Sequence, residues 1–221
     1  MNSLAVLYED NHLLVVNKPA GLPTMGAVSG TKTAVTLAAA YLKRRYQKPG
    51  NVFVGVVSRL DRLVSGVLIL ARTSKAASRL SEQFREQMTE KHYVAWVEGN
   101  FIAHDWLEMR DWVVKDELRQ RMRVSAEDAV GSQLARLRIK TLATERTQTY
   151  LAIELLSGRK HQIRLQLAHA GHPILGDHKY DAKSRFPHGI ALHCQQMTIQ
   201  HPTLKEPLTF NAPVPDYWPG S

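Results

Sequence analysis

A single cysteine, Cys194, stands in a chain of 221 residues, which excludes an intrachain disulfide and any zinc site built from several cysteines. Long apolar runs are also missing. None approaches the roughly 20 residues that a membrane-spanning helix requires, and 44% apolar with 22% charged residues is the composition of a soluble globular protein. The segment from Met1 to Val16 carries Glu9, Asp10 and Asn11 among its apolar residues, so it lacks the basic start and unbroken core of a secretory signal. A cytoplasmic protein with no membrane association is expected. No internal repeat, low-complexity tract or linker divides the chain, and one domain over residues 1–221 is the expectation. Acidic residues are the minority charge: 20 Asp plus Glu face 29 Lys plus Arg, a formal net charge of +9. That balance favours a polyanionic partner without identifying it.

What is present reads as strands interrupted by fewer helices. Val6-Leu7-Tyr8 and Leu13 to Asn17 flank the turn-rich Glu9-Asp10-Asn11-His12, which predicts an opening hairpin. Two prolines and a glycine in Lys18-Pro19-Ala20-Gly21-Leu22-Pro23 then predict a fixed loop. Helical spacing returns from Thr33 to Tyr46, with Lys43-Arg44-Arg45 at the end that suits cations. Val52 to Val57 and Val67 to Leu70 are β-prone, so Ser58 to Gly66 is expected to connect two buried strands. Ser74 is expected to cap a helix whose stripe is Ala77, Leu80, Phe84 and Met88. His92 to Glu98 reads as a strand, and the charge-rich residues 104–133 read as a solvated insertion or lobe. Beyond it, Leu137, Ile139 and Thr141 alternate with Arg136, Arg138 and Lys140, a half-buried strand whose basic face is either solvated or set against phosphates. Tyr150 to Leu156 is a further strand, and Ile163, Leu167 and Ala170 form a helical stripe that stops at Gly171. Strand-like runs recur at Ala191 to Ile199 and Leu208 to Phe210. The class this implies is α+β with a mainly antiparallel sheet.

Three places could carry chemistry. Asp61 lies between Arg59 and Arg62 in the predicted loop, where it is either a salt-bridged turn residue or a carboxylate aimed at a substrate. The stretch Gly158-Arg159-Lys160-His161-Gln162-Ile163-Arg164 opens a helix after a tight turn, so its cations could hold phosphate or reach a carboxylate. Tyr93 is either a core aromatic or a ring that stacks on a base. A metal centre is not indicated. His161, His169, His172, His178, His188 and His193 crowd one stretch, yet no pair forms HExxH and the acidic residues nearby make no paired-carboxylate set.

In combination the motifs resemble a known family. Asn17-Lys18-Pro19-Ala20-Gly21-Leu22, Arg59-Leu60-Asp61 followed by Ser65-Gly66, Lys91-x-Tyr93-x-Ala95, Gly158-Arg159-x-His161-Gln162-Ile163-Arg164 and Gly171-His172-Pro173-Ile174-x-Gly176-Asp177 run in the order seen in RluA-type RNA pseudouridine synthases. The resemblance spans nearly the whole chain, from Val6 to Trp218. It implies a pseudouridine synthase fold: a mixed, mainly antiparallel sheet with flanking helices and a central basic catalytic cleft. It implies no metal and no organic cofactor, RNA (ribosomal or transfer) as the partner, and a monomer with no obligate protein partner. The extra S4-like RNA-binding domain of some members is not expected here.

The same resemblance assigns roles. Asp61 matches the catalytic aspartate, Tyr93 the tyrosine against the target base, and Arg164 the arginine that pairs with the aspartate. Arg59 matches the arginine that helps occupy the space left by a flipped nucleotide, while Arg62, Arg159, Lys160, His161 and Gln162 are expected to bind RNA. The implied reaction cleaves the uracil N1–C1′ bond, turns the base and rejoins it through C5. Asp61 either attacks C1′ or removes a proton from C2′. Ser58 and Val64 depart from the His and Thr usual at those motif positions, and Cys194 from the usual Ala, which puts specificity in question. A non-catalytic RNA-binding protein on the same scaffold is the rival reading.

Overall fold

The computed structural model describes residues 4–26 and 30–219. Its architecture is α+β, with strand pairing mainly antiparallel, and its contacts divide it into two compact units. Among the described residues, the first comprises those up to Thr89 together with Cys194–Asp216; the second comprises Glu90–His193 and residues 217–219.

In the first unit β1 (Ala5–Glu9) and β2 (Leu13–Lys18) form the expected hairpin. Asp10 closes its turn by accepting the amides of His12 and Leu13 at 2.7 and 2.6 Å. β2 pairs antiparallel with β4 (Ser65–Ala71), every residue of which is buried, and short β3 (Gly55–Val56) pairs with the far end of β4. The predicted strand from Val52 thus shrinks to two residues. α1 (Ala34–Arg45) begins at Thr33, whose side chain and that of Thr36 cap each other's backbone amides. α2 (Ser74–Arg85) is capped by Thr73, not Ser74, because the Thr73 hydroxyl accepts from the Ala76 amide at 3.1 Å. Met88 falls outside this helix: Gln87 turns to φ 58, and the methionine is exposed.

The second unit carries β5 (Glu90–Glu98), β6 (Leu107–Asp116), β7 (Arg121–Ser125), β8 (Gln133–Glu145) and β9 (Gln148–Leu155), in spatial order β5-β9-β8-β6-β7 with every pair antiparallel. Residues 104–133 therefore carry the strands β6 and β7, and only Val113 and Met122 among them are buried, so the expected solvation holds and the sheet structure is the addition. Their charges concealed the alternation, since a sheet face left to water accepts charged residues at every second position. Helix α3 (Gln162–His169) packs a core made by Val113, Met122, Ala135, Leu165 and Tyr180. β10 (Leu192–Gln200), which follows, enters the first unit from Cys194 onward, where it lies beside β4 and pairs with β11 (Pro207–Asn211). Gly66 is required there. Its φ is +117, and a Cβ on it would lie 2.2 Å from the carbonyl oxygen of Cys194.

Candidate active site

Asp61 sits on the connection between β3 and β4, and its neighbours alternate between pegs and exposed groups. Leu60 and Val64 are buried, Asp61 is half-buried, and Arg59 and Arg62 are exposed. Apolar burial on both sides of the aspartate fixes the loop to the core while the charged side chains stay toward solvent. Polar contacts complete the hold. The Thr24 hydroxyl donates to the Leu60 carbonyl at 2.8 Å and accepts its amide at 3.2 Å. The Gly21 amide donates to the Arg62 carbonyl at 2.8 Å, and Arg62 Nε returns a bond to the Gly21 carbonyl at 3.2 Å. The turn itself closes through the Val64 amide on the Asp61 carbonyl at 3.1 Å.

Lys18 ties the two loops from beneath. Its side chain has 0% exposure, and Nζ donates to the carbonyls of Pro19 at 2.9 Å, Leu22 at 2.8 Å and Arg62 at 3.5 Å. Burial pushes its ammonium from the ordinary 10.5 down to about 7, and the charge of Asp61 pulls it back up. Attraction of this kind is mutual, so a cationic Lys18 and an anionic Asp61 stabilise one another. The residues alone did not single out Lys18; a lysine placed directly before Pro-x-Gly, where the chain must turn into the interior, was the available sign.

In the second unit Tyr93 is buried on β5 and Arg164 is buried in α3. Arg164 makes a two-pronged ion pair with Asp177: Nε to Oδ2 and Nη2 to Oδ1, both at 2.7 Å. With the side chains 4% and 1% exposed, this pair fixes the plane of the guanidinium. Asp177 is a second residue absent from the expected set. The turn that opens α3 is also braced from within: the Gln162 side-chain oxygen accepts from the Ser157 hydroxyl and the Arg159 amide at 2.8 and 3.0 Å, and its nitrogen donates to the Arg136 carbonyl at 2.9 Å. Buried and engaged at both ends, Gln162 shapes the turn. Arg159 lies half-buried with Nε on the Leu134 carbonyl at 3.0 Å, Lys160 is exposed, and His161 is half-buried with a left-handed φ of 52.

A family model described as RNA pseudouridylate synthase matches residues 12–169, which is more than half of the chain. The dual-specificity RNA pseudouridine synthase RluA of Haemophilus influenzae is 37% identical over 214 residues, spanning 95% of this chain and 92% of that protein. The chain belongs to the RNA pseudouridylate synthase family. The ribosomal large subunit pseudouridine synthase D of Xanthomonas campestris pv. campestris is 35% identical over 96% of this chain, and the match spans 66% of that relative's length. The solved structure of human RNA pseudouridylate synthase domain containing 4 shares the fold, with a TM-score of 0.79 at 23% identity over 96% of this chain and 89% of that one.

Against the synthase motifs the departures have local explanations. The Ser58 hydroxyl spans β4 by accepting the Ile69 amide and donating to the Ile69 carbonyl, both at 3.3 Å. Val64 is 2% exposed, so an apolar side chain suits its place. Cys194 is buried under Gly66. The basic face of β8 is resolved as well. Arg136 Nε bonds Glu108 at 2.8 Å, and Arg138 pairs with Glu154 while its guanidinium lies 5.8 Å from the Trp106 ring centre. Ile139, Ile153 and Tyr93 share one face through direct register, whereas Arg138, Glu154 and His92 share the opposite one. Among the described residues no group of three or more His, Cys, Asp or Glu side chains could hold a metal ion. Several histidines serve structure instead: His172 and His178 meet the carbonyls of Glu98 and Ala182 at 2.8 and 2.9 Å, and His201 pairs with Asp10 at 2.8 Å. No helix among the described residues is long and apolar enough to cross a membrane.

Proposed function

We propose that this chain, with residues 1–221 as its catalytic domain, isomerises uridine in structured RNA to pseudouridine without a cofactor. The observation that carries the reading is Asp61, held on a loop of a pseudouridylate synthase scaffold by buried neighbours and by Lys18. A carboxylate fixed in position beside the buried Lys18 amine suits attack on C1′ or removal of a C2′ proton, since both need the anion. The N1–C1′ bond breaks, the base turns, C5 joins C1′, and the hydrogen leaving C5 is balanced by one gained at N1.

Tyr93 is assigned to the face of the target base. Arg164 is assigned as the cation that favours the Asp61 carboxylate, with Asp177 holding its plane. Arg59 and Arg62, exposed on either side of Asp61, and Arg159, Lys160 and His161 at the opening of α3 are assigned to RNA. The relatives named as ribosomal large subunit and dual-specificity synthases support RNA as the substrate class; ribosomal RNA, transfer RNA or both are the proposed targets, with the chain acting as a monomer in the cytoplasm.

The test maps pseudouridine by selective chemical adduct formation on total RNA from a strain lacking the protein, after incubation with purified chain. Discrete uridines should be converted by the wild type and by none of the Asp61→Ala samples. Equal conversion by both, or none by the wild type, would turn the reading toward a non-catalytic RNA-binding protein.

A further inference from the structure

The C-terminal end of α1 carries charge and an exposed aromatic ring to which no role has been given. Lys43, Arg44, Arg45, Tyr46 and Lys48 are all exposed. Their backbone is fixed: Gln47 turns left-handed at φ 48, its amide donates to the Arg44 carbonyl at 3.3 Å, and the Lys48 amide donates to the Lys43 carbonyl at 3.1 Å. These two bonds close the helix in a Schellman turn, which folds Lys48 back over the end that carries Lys43. Arg45 is drawn to Glu9 at 3.4 Å, but among the described residues no carboxylate forms an ion pair with Lys43, Arg44 or Lys48.

Tyr46, 43% exposed, is held at both its hydroxyl and its ring. The hydroxyl donates to Glu9 Oε1 at 2.5 Å and accepts from Arg72 Nη1 at 3.2 Å, while the Arg72 guanidinium carbon lies 4.5 Å from the ring centre. Glu9 and Arg72 are nearly buried and joined at 3.2 Å, and Tyr41 sets a second phenol on Glu9 at 2.8 Å. A ring so fixed has little conformational freedom left to lose when a flat ligand stacks on it. With Arg72 over one face, the ligand's place is the other. A flat group that arrives with negative charge is a nucleobase on its phosphate strand, and aromatic rings set among cations are what unpaired RNA binds.

We propose that Tyr46 with Lys43, Arg44 and Lys48 forms a second RNA contact, in which an unpaired base stacks on the Tyr46 ring and the adjoining phosphates meet the three cations. The chemistry of the partner rests on the RNA reading made above. β4 leads from the Asp61 loop at one end to Arg72 just past the other, and its seven residues at about 3.3 Å each place the platform about 23 Å along the strand from that loop. The base held there is therefore not the uridine being isomerised but a nucleotide elsewhere in the same RNA. The contact bears on affinity and on choice of RNA, not on the bond-breaking step.

Filter-retention binding of the full chain to unmodified transcripts of large-subunit ribosomal RNA and of transfer RNA tests it, with thermal unfolding of each variant giving the folded fraction by which binding is corrected. Tyr46→Leu should weaken binding about tenfold, the size of one lost stack. Tyr46→Trp, which keeps a flat ring, should stay within about twofold of wild type. Lys43→Gln, Arg44→Gln and Lys48→Gln together should lower the salt slope by roughly 2. Wild-type affinity in Tyr46→Leu would overturn the proposal, as would an equal loss in Tyr46→Leu and Tyr46→Trp. So would an unchanged salt slope in the triple variant, since the cations would then be merely solvated. No readout depends on turnover, so absence of uridine conversion by the wild type would defeat the catalytic reading alone.

Discussion

Lys18 and Arg164 are both cations without appreciable exposed surface, and each is answered differently by its surroundings. Arg164 has a full carboxylate partner in Asp177, whereas Lys18 has backbone carbonyls and the nearby charge of Asp61. Removing one member of a buried pair leaves the other uncompensated, at a cost of about 3–5 kcal/mol. Asp177→Ala is therefore expected to lose that much stability in urea denaturation, and to lose uridine conversion by more than its folded fraction explains. For Lys18 the sign follows from the lowered pKa. Above about 7 the folded protein has released the proton, while the unfolded chain retains it up to 10.5. Over that window the unfolded state binds more protons, so stability rises with pH. Below the window both states are protonated and the full burial penalty stands. Wild type should gain stability relative to Lys18→Met as pH is raised from about 7 to about 10; a difference that is flat with pH would refute the shift. The sequence assigned a role to Arg164 but none to Lys18 or Asp177, because burial of a charge is decided by what folds over it.

At the scale of elements, the loop carrying Asp61 was legible and the surrounding detail less so. Two apolar runs around Arg59 to Ser65 sufficed to place a connection between strands, and that connection lies between β3 and β4. Its fastening by Thr24 and Gly21 was not readable, since it depends on a loop some forty residues away in sequence. The same limit explains residues 104–133, whose strands form only by pairing β6 with β7 and with β8. Packing gives two expectations here. Val64→Thr, which restores the hydroxyl usual in the family, should cost about 1–3 kcal/mol, the range for burying an unsatisfied hydroxyl, and should not raise the rate. Gly66→Ala has no conservative solution, because the new methyl meets the Cys194 backbone and φ is +117. Its thermal unfolding should show a loss above about 1 kcal/mol, beyond that of an ordinary Gly→Ala change at positive φ.

For the whole molecule, the +9 charge suggested a polyanion, and the fold indicates which cations are free to meet it. Arg136 and Arg138 on β8 are engaged by Glu108 and Glu154 on the face opposite Tyr93. Neutralising Arg136, Arg138 and Lys140 together should leave the salt slope of RNA binding unchanged. Neutralising Arg159 and Lys160 should lower it by roughly 1–2, because each lost phosphate contact removes close to one unit. The family was legible from five ordered motifs, since a shared fold carries its site residues in one chain order; target choice, which depends on surface shape, was not. The most direct test of the central claim uses RNA carrying tritium at C5 of uracil, because joining C5 to C1′ must release that hydrogen to water. Wild type should release tritium from a defined set of uridines, and Asp61→Ala should release none while binding the same RNA. Tritium release by Asp61→Ala at the wild-type rate, or its absence from the wild-type reaction, would contradict the account.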